Sequence, residues 1–290
     1  MRKEIEARQM LSPVKQPDIW FGLKYSMNLY RGCQHRCIYC DSRSQCYGID
    51  RFDQDVLVKT NAIDLLRDEL SRKRKKGTIG TGSMNDPYMP LEKHEKLTQR
   101  ALETIAQFRF PVHVLTKSDL VLRDIDLLQQ ISQVYTAVSF TITTANDELG
   151  KQVEPGAPRP SARLKAIEHL AARGIYTGVL MMPVLPYLQD NEVNIRELVK
   201  RVADSGAHYI LASFGVTLRD RQRVYFYQEL DRRFPGVSQQ YQQAFGGDYF
   251  APVREYDHLK AVFKAACAEV GMARRIKPFC EPEAQQLSLF

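Results

Sequence analysis

The sequence predicts an α/β fold organised around a parallel sheet, and three features predict it. Strand-like apolar runs alternate with helical stripes about six times between residues 26 and 214. Successive strands stand too far apart for hairpins, which leaves parallel pairing through helical crossovers. Beyond about residue 215 the alternation stops and helical stripes continue alone.

Residues 26–31 read as a short strand that leads into a cysteine-rich loop. Segment 61–76 reads as a helix capped by Asn61, with Ile63, Leu66 and Leu70 on one face. A strand over 78–83 follows, then a helical stripe of Leu97, Ala101, Ile105 and Phe108. Strands at 112–116 and 135–142 flank a short helix near 124–131. Helix 161–173, strand 176–182, helix 191–204 and strand 208–214 complete the alternating region. Segments 219–234 and 256–270 are helical, separated by a Gly- and Tyr-rich stretch at 237–252, and are expected to pack on the core. A barrel, a partial barrel and a doubly wound sheet all satisfy this pattern. In a barrel the chemistry sits at the C-terminal ends of the strands, where the cysteine loop falls.

The chain has 290 residues, 44% hydrophobic and 26% charged, which excludes disordered, collagen-like and disulfide-scaffold classes. Its longest uninterrupted apolar run, Val179 to Leu185, is too short to span a membrane. The first ten residues lack the apolar stretch of a secretory signal, so a cytoplasmic location is expected. Lys and Arg exceed Asp and Glu by 41 to 34, and five of the cations form the run Arg72–Lys76. That run reads first as a helix C-terminus closed by Gly77, where cations favour the dipole. Its second reading is a phosphate-contacting patch.

Six cysteines in a cytoplasmic chain do not suggest three disulfides. Cys33, Cys37 and Cys40 cluster, Cys46 follows closely, and Cys267 and Cys280 stand far away, which points to a metal centre or redox chemistry. A [4Fe–4S] cube takes four thiolates. A loop that supplies three leaves one iron open, and S-adenosylmethionine can chelate it through its amino and carboxylate groups. The alternative is a zinc site built from the three cysteines and His35.

The spacing C-x3-C-x2-C, with Tyr39 before the last cysteine, resembles the signature of the radical SAM superfamily. The flanking string Asn28-Leu-Tyr-Arg-Gly-Cys33 resembles the branch containing spore photoproduct lyase, a DNA-repair enzyme. The resemblance implies a partial (β/α)6 TIM-like barrel of radical SAM type over residues 1–215. A helical extension at 216–280, packed on the barrel, and a flexible tail at 281–290 would complete the chain. It implies a [4Fe–4S] cluster on Cys33, Cys37 and Cys40, with S-adenosylmethionine cleaved reductively to a 5′-deoxyadenosyl radical. An electron donor such as flavodoxin or ferredoxin would then be needed.

Further strings match the same family at expected strand ends. Ser83-Met-Asn85-Asp86 follows the second strand, where the methionyl amine is recognised. Lys117 ends the third strand, and Thr141 and Thr143 end the fourth, where hydroxyls meet the carboxylate or ribose. Arg163, after Glu154-Pro-Gly156, matches an arginine whose fork grips the methionyl carboxylate. Met181-Met182-Pro183 would lie under the adenine.

Two departures argue against photoproduct lyase activity itself. The lyase returns a hydrogen atom from a cysteine thiol where this chain has Ser83, whose O–H bond is too strong. It also carries an aromatic where this chain has Asp41. Cys46, just beyond the cluster, is the candidate replacement donor. Cys267 shares an apolar stripe with Leu259, Val262, Phe263 and Ala266 and reads as core, and the other histidines form no ligand pair.

Gln286-Leu287-Ser288-Leu289-Phe290 resembles the short peptide with which bacterial polymerases and repair proteins bind the sliding clamp. With the basic run, this tilts the expected substrate towards a DNA lesion or modified base. The alternatives are a clamp-associated DNA-binding protein with a structural metal site, or radical SAM modification of RNA or a peptide.

Overall fold

Six parallel strands form the centre of the protein in the computed structural model, which describes residues 1–14, 18–52 and 54–281. They are β1 (Leu23–Met27), β2 (Thr78–Thr81), β3 (Val112–Thr116), β4 (Thr136–Thr141), β5 (Tyr176–Met181) and β6 (Tyr209–Ala212). Each pairs in parallel with the next one in the chain. Ser12–Pro13 adds antiparallel to β1. β1 and β6 do not pair with each other, so the sheet is a partial barrel rather than a closed one.

Helices α1 (Ala62–Ser71), α2 (Leu97–Gln107), α3 (Ile125–Ser132), α4 (Pro160–Ala172) and α5 (Glu192–Asp204) connect successive strands. After β6 come α6 (Asp220–Arg233), α7 (Val237–Phe245) and α8 (Tyr256–Glu269). α8 packs on α5 and takes the place of the helix expected after β6. The segment between β6 and α8 is an insertion: Gly215–Thr217 pairs antiparallel with Phe250–Pro252, and α6 and α7 lie between them. Among the described residues no helix is long and apolar enough to cross a membrane.

The helix stripes bury against the outer face of the sheet. Leu66, Leu70, Ile105, Leu128, Ile167 and Ile195 share one core with Val112, Val114, Val138, Phe140, Val179 and Ile210. Alternate strand residues point the other way. There His113 Nε2 lies 2.7 Å from Ser139 Oγ, which lies 2.7 Å from the Tyr209 hydroxyl. Burial lowers the His113 pKa to about 3, so the ring stays neutral. Phe21 meets that ring edge-on, and Ile276 joins Leu180, Tyr209 and Leu211, which closes the interior at the open side.

Three sequence expectations are corrected. α1 ends at Ser71, so Arg72–Lys76 lies in the loop ahead of β2 rather than in a helix closed by Gly77. Like charges three and four residues apart repel along a helix, and Lys73 instead lies over the Tyr25 ring at 4.4 Å. The run therefore sits at the N-terminal end of the sheet, opposite the cysteine loop. Asn61 stands at the N-cap of α1, but its side chain makes no cap bond; its amide instead bonds the Ala7 N–H and carbonyl, each at 2.9 Å. The Gly- and Tyr-rich stretch contains a helix, α7, whose Tyr241 is buried against Phe226.

Gly178 leaves the space the Tyr209 ring occupies, since a Cβ there would come within 2.4 Å of Tyr209 Cδ2. Gly178→Ala is expected to destabilise the protein by about 1–3 kcal/mol through overpacking. Thermal denaturation checks this, and an unchanged midpoint would show that Tyr209 can move aside.

Candidate active site

The loop after β1 places Cys33, Cys37 and Cys40 on the wall of a cavity of about 420 Å³ at the C-terminal ends of the strands. Residues following β2, Lys117 after β3, Thr141 of β4, Met182 after β5 and Ser213 after β6 complete the lining. The inserted hairpin contributes Val216, Thr217 and Phe250.

Backbone bonds from distant elements hold the loop. Ile38 N–H donates to the Val153 carbonyl at 3.0 Å, and Gly156 N–H donates to the His35 carbonyl at 2.8 Å. Gly156 is required by proximity, because a Cβ would come within 2.2 Å of the Gln34 carbonyl oxygen. The start of α6 clamps the other side: Ser44 Oγ donates to Asp220 at 2.9 Å, and Gln222 Nε2 donates to the Tyr39 carbonyl at 3.1 Å.

Asp86 lines the cavity, yet its carboxylate is already engaged. It accepts from Thr116 Oγ1 at 2.7 Å, Lys117 N–H at 2.6 Å and Tyr88 N–H at 2.9 Å, and lies 3.1 Å from His35 Nε2. Burial opposes its charge, but His35, Thr116 and the Lys117 amide outweigh burial and lower its pKa to about 2. Asp86 thus positions the cysteine loop through His35. The other ring nitrogen, Nδ1, faces the Gly156 carbonyl at 3.2 Å, which fixes the ring against the loop.

Burial pushes the Cys33 thiol up to about 12, Cys37 well above its usual value and Cys40 upward too. The sulfurs also raise one another when ionised: Cys40 acts on Cys33, and both act on Cys37. Such thiols ionise readily only beside added positive charge, which a metal centre supplies. Among the described residues no three Cys, His, Asp or Glu side chains converge to hold a single ion. The three cysteines share one cavity wall, as ligation of a cluster at separate corners requires.

The structure brings Tyr39, Ser83, Asn85, Asp86, Lys117 and Thr141 to this cavity. Ser83 Oγ lies 3.2 Å from the Asn28 amide nitrogen, and the Asn85 amide bonds the Tyr30 carbonyl. Lys117 Nζ lies 5.9 Å from the Tyr39 ring centroid. Burial opposes its charge, but Cys37 when ionised, Glu154 and Asp86 outweigh this and raise its pKa.

Three sequence-selected residues are not brought to the cavity. Arg163 is 1% exposed and pairs with Glu154 at 2.5 Å, while also donating to the Pro158 and Thr141 carbonyls, so its fork is spent on protein oxygens. Thr143 is buried, with its hydroxyl accepting from Gln189 Nε2 at 2.8 Å. Cys46 is exposed and outside the lining, its sulfur lying 3.3 Å from Ser44 Oγ and accepting from Arg219 at 3.4 Å. Cys267 is buried in α8. Gln286–Phe290 lies outside the described residues.

Sequence reasoning missed Glu154 as a site organiser. Its carboxylate takes the Tyr39 hydroxyl as well as Arg163, and Arg163 with Lys117 holds its pKa down against burial. It also missed Asp41, which lines the rim, accepts from Thr217 at 3.0 Å and pairs with Arg219 at 2.9 Å. The signal was present only as an acidic residue, Glu154 in a matched string and Asp41 at a departure directly after Cys40.

Comparison with known proteins adds the family. A model described as the Radical SAM superfamily matches residues 27–199. An uncharacterised protein of Mycobacterium tuberculosis is 34% identical over 237 residues, covering 79% of this chain and 69% of its own length. One of Methanocaldococcus jannaschii is 38% identical over 196 residues, covering 67% of this chain and 71% of its own. Spore photoproduct lyase, solved with bound AdoMet and dinucleoside spore photoproduct, superposes with a TM-score of 0.69. It does so at 14% identity, covering 96% of this chain and 81% of the lyase.

Asp86 supplies the prediction from this geometry. A carboxylate whose pKa falls from 3.8 to about 2 on folding stabilises the protein above pH 3.8 and loses that contribution as pH falls through about 2. Asp86→Asn is therefore expected to lower stability by about 2 kcal/mol at pH 7. Denaturant titration should show the gap closing between about pH 4 and pH 2; a gap independent of pH would remove the charge from the explanation.

Proposed function

The chain belongs to the radical SAM superfamily, and from that membership we propose that it acts on a nucleic-acid substrate, a lesion or modified base in DNA. Its cofactors are a [4Fe–4S] cluster and S-adenosylmethionine. When bound, they supply reductive cleavage of the sulfonium to a 5′-deoxyadenosyl radical that can take a substrate hydrogen.

The observation that carries this reading is the trio of thiols, Cys33 and Cys37 buried and Cys40 half-buried, on one wall of the strand-end cavity. Cys33, Cys37 and Cys40 would hold three irons. Ser83, Asn85 and the Thr141 hydroxyl would offer polar contacts to the methionyl and ribose groups, while Tyr39 and Met182 provide apolar walls. Lys117 places a fixed cation beside the thiolates, where it offsets their charge. Glu154, locked by Arg163, fixes the Tyr39 ring. The hairpin and α6 cover the loop and restrict water.

The DNA reading is supported by the fold shared with spore photoproduct lyase, whose structure holds a dinucleoside photoproduct. The chemistry differs from that lyase, since Ser83 stands at the cavity where a thiol would be needed and Asp41 forms a rim pair with Arg219. The reaction is thus a different radical-based change of a base, with the electron drawn from a donor such as flavodoxin or ferredoxin.

Cys37→Ala is expected to abolish reductive cleavage of S-adenosylmethionine by anaerobically reconstituted protein, read as loss of 5′-deoxyadenosine. Undiminished cleavage would refute the ligand assignment. Screening DNA, RNA and peptides for deuterium transfer into deoxyadenosine tests the substrate, and transfer from a peptide alone would overturn the nucleic-acid reading. For the tail, deleting Gln286–Phe290 is expected to remove sliding-clamp capture in a pull-down and leave cofactor cleavage intact. Capture that survives the deletion ends the clamp proposal.

A further inference from the structure

A second cavity, of about 540 Å³, lies beside β6, bordered by Trp20, Phe214, Tyr256, Lys260, Lys264 and Arg274–Arg275. The extended segment leaving β6 separates it from the thiol cavity. Ser213 and Gly215 line the thiol cavity, whereas Ala212 and Phe214 line the second one, as alternation along an extended chain requires. The two spaces therefore lie on either side of one short segment.

The groove combines two kinds of group. Trp20 and Tyr256 are 47% and 40% exposed, although their rings are large and apolar. Tyr256 leans edge-on against Phe214 with centroids 6.2 Å apart, which holds the ring in place. Around them stand four exposed cations. Lys260 and Lys264 are one turn apart on α8, and Arg274 and Arg275 ride on the segment anchored beside β6 by Ile210 N–H to the Ala273 carbonyl at 2.9 Å. Among the described residues no carboxylate lies within 4.0 Å of any of the four. Lys260 instead sits over the Tyr256 ring at 5.3 Å. Surface cations elsewhere are commonly paired, as Arg196 is with Glu192 and Glu269.

Unneutralised cations attract phosphates and release counterions, and exposed rings accept unstacked bases. We propose that this groove holds single-stranded DNA flanking the nucleotide that enters the thiol cavity, a proposal that rests on the nucleic-acid reading above. The basic run Arg72–Lys76 lies ahead of β2, at the end of the sheet away from the thiol cavity, and takes no part.

The test uses reconstituted holoprotein and a fluorescein-labelled single-stranded deoxyoligonucleotide, read by anisotropy across a salt series, with single-stranded RNA as a second arm. Lys260→Glu with Arg274→Glu is expected to weaken DNA binding at least about tenfold and to flatten the log–log salt slope by about 1.4. Trp20→Ala is expected to weaken binding by about fivefold or more with the slope unchanged. Arg74→Glu with Lys75→Glu, at the far end, is expected to change affinity less than about threefold. All variants should cleave S-adenosylmethionine at the wild-type rate in the absence of DNA, which shows that they fold. Unchanged binding by the groove variants, an equal loss in the far-end variant, or tighter binding of RNA than DNA overturns the proposal. Wild-type protein that cleaves the cofactor but binds no strand overturns the groove alone. Binding through the groove without hydrogen transfer from any nucleic acid overturns only the substrate reading.

Discussion

Three thiols gathered in one cavity wall, two buried and one half-buried, impose the constraint that the surrounding structure answers. Burial opposes ionisation of each sulfur, and ionised Cys40 opposes that of Cys33 and Cys37 further. The loop carrying them must therefore be held rigidly enough to present a ready ligand set, while positive charge waits nearby. Both conditions are met from outside the loop: by backbone bonds at Val153 and Gly156, by Asp86 through His35, and by Lys117 after β3.

Those supports form a chain of buried charge rather than isolated contacts. Arg163 pairs with Glu154, Glu154 binds the Tyr39 hydroxyl, and Lys117 lies near that ring and carboxylate. A buried ion pair is costly unless its remaining hydrogen-bonding groups are satisfied. Arg163 meets that condition through the Pro158 and Thr141 carbonyls. The network consequently contributes position more than net stability, fixing the aromatic beside Cys40.

The open barrel and its insertion divide the remaining work. Because β1 and β6 do not meet, Phe21 and Ile276 fill the interior from the side, and the edge of β6 is left beside a groove. The insertion after β6 returns over the cysteine loop, so α6 and the hairpin form the roof. Asp41 belongs to this roof through Thr217 and Arg219, which explains how an acidic residue is accommodated next to the thiols.

Local patterns were legible without coordinates. The cysteine spacing, Tyr39 and the order of strands and helices depend on near neighbours and periodicity, so the sequence by itself determined the sheet class and singled out the three cysteines that the fold gathers in one cavity wall. Partner choice was not legible. An arginine fork suits a cofactor carboxylate and Glu154 equally well, and only the fold brought Arg163 to the latter. Thr141 and Thr143 look equivalent in sequence, yet one lines the cavity and the other meets Gln189. Helix propensity could not say that Arg72–Lys76 would fall at the far end, nor could it join Trp20, Tyr256 and Arg274. Such outcomes depend on contacts between residues far apart in the chain, which tertiary packing alone decides.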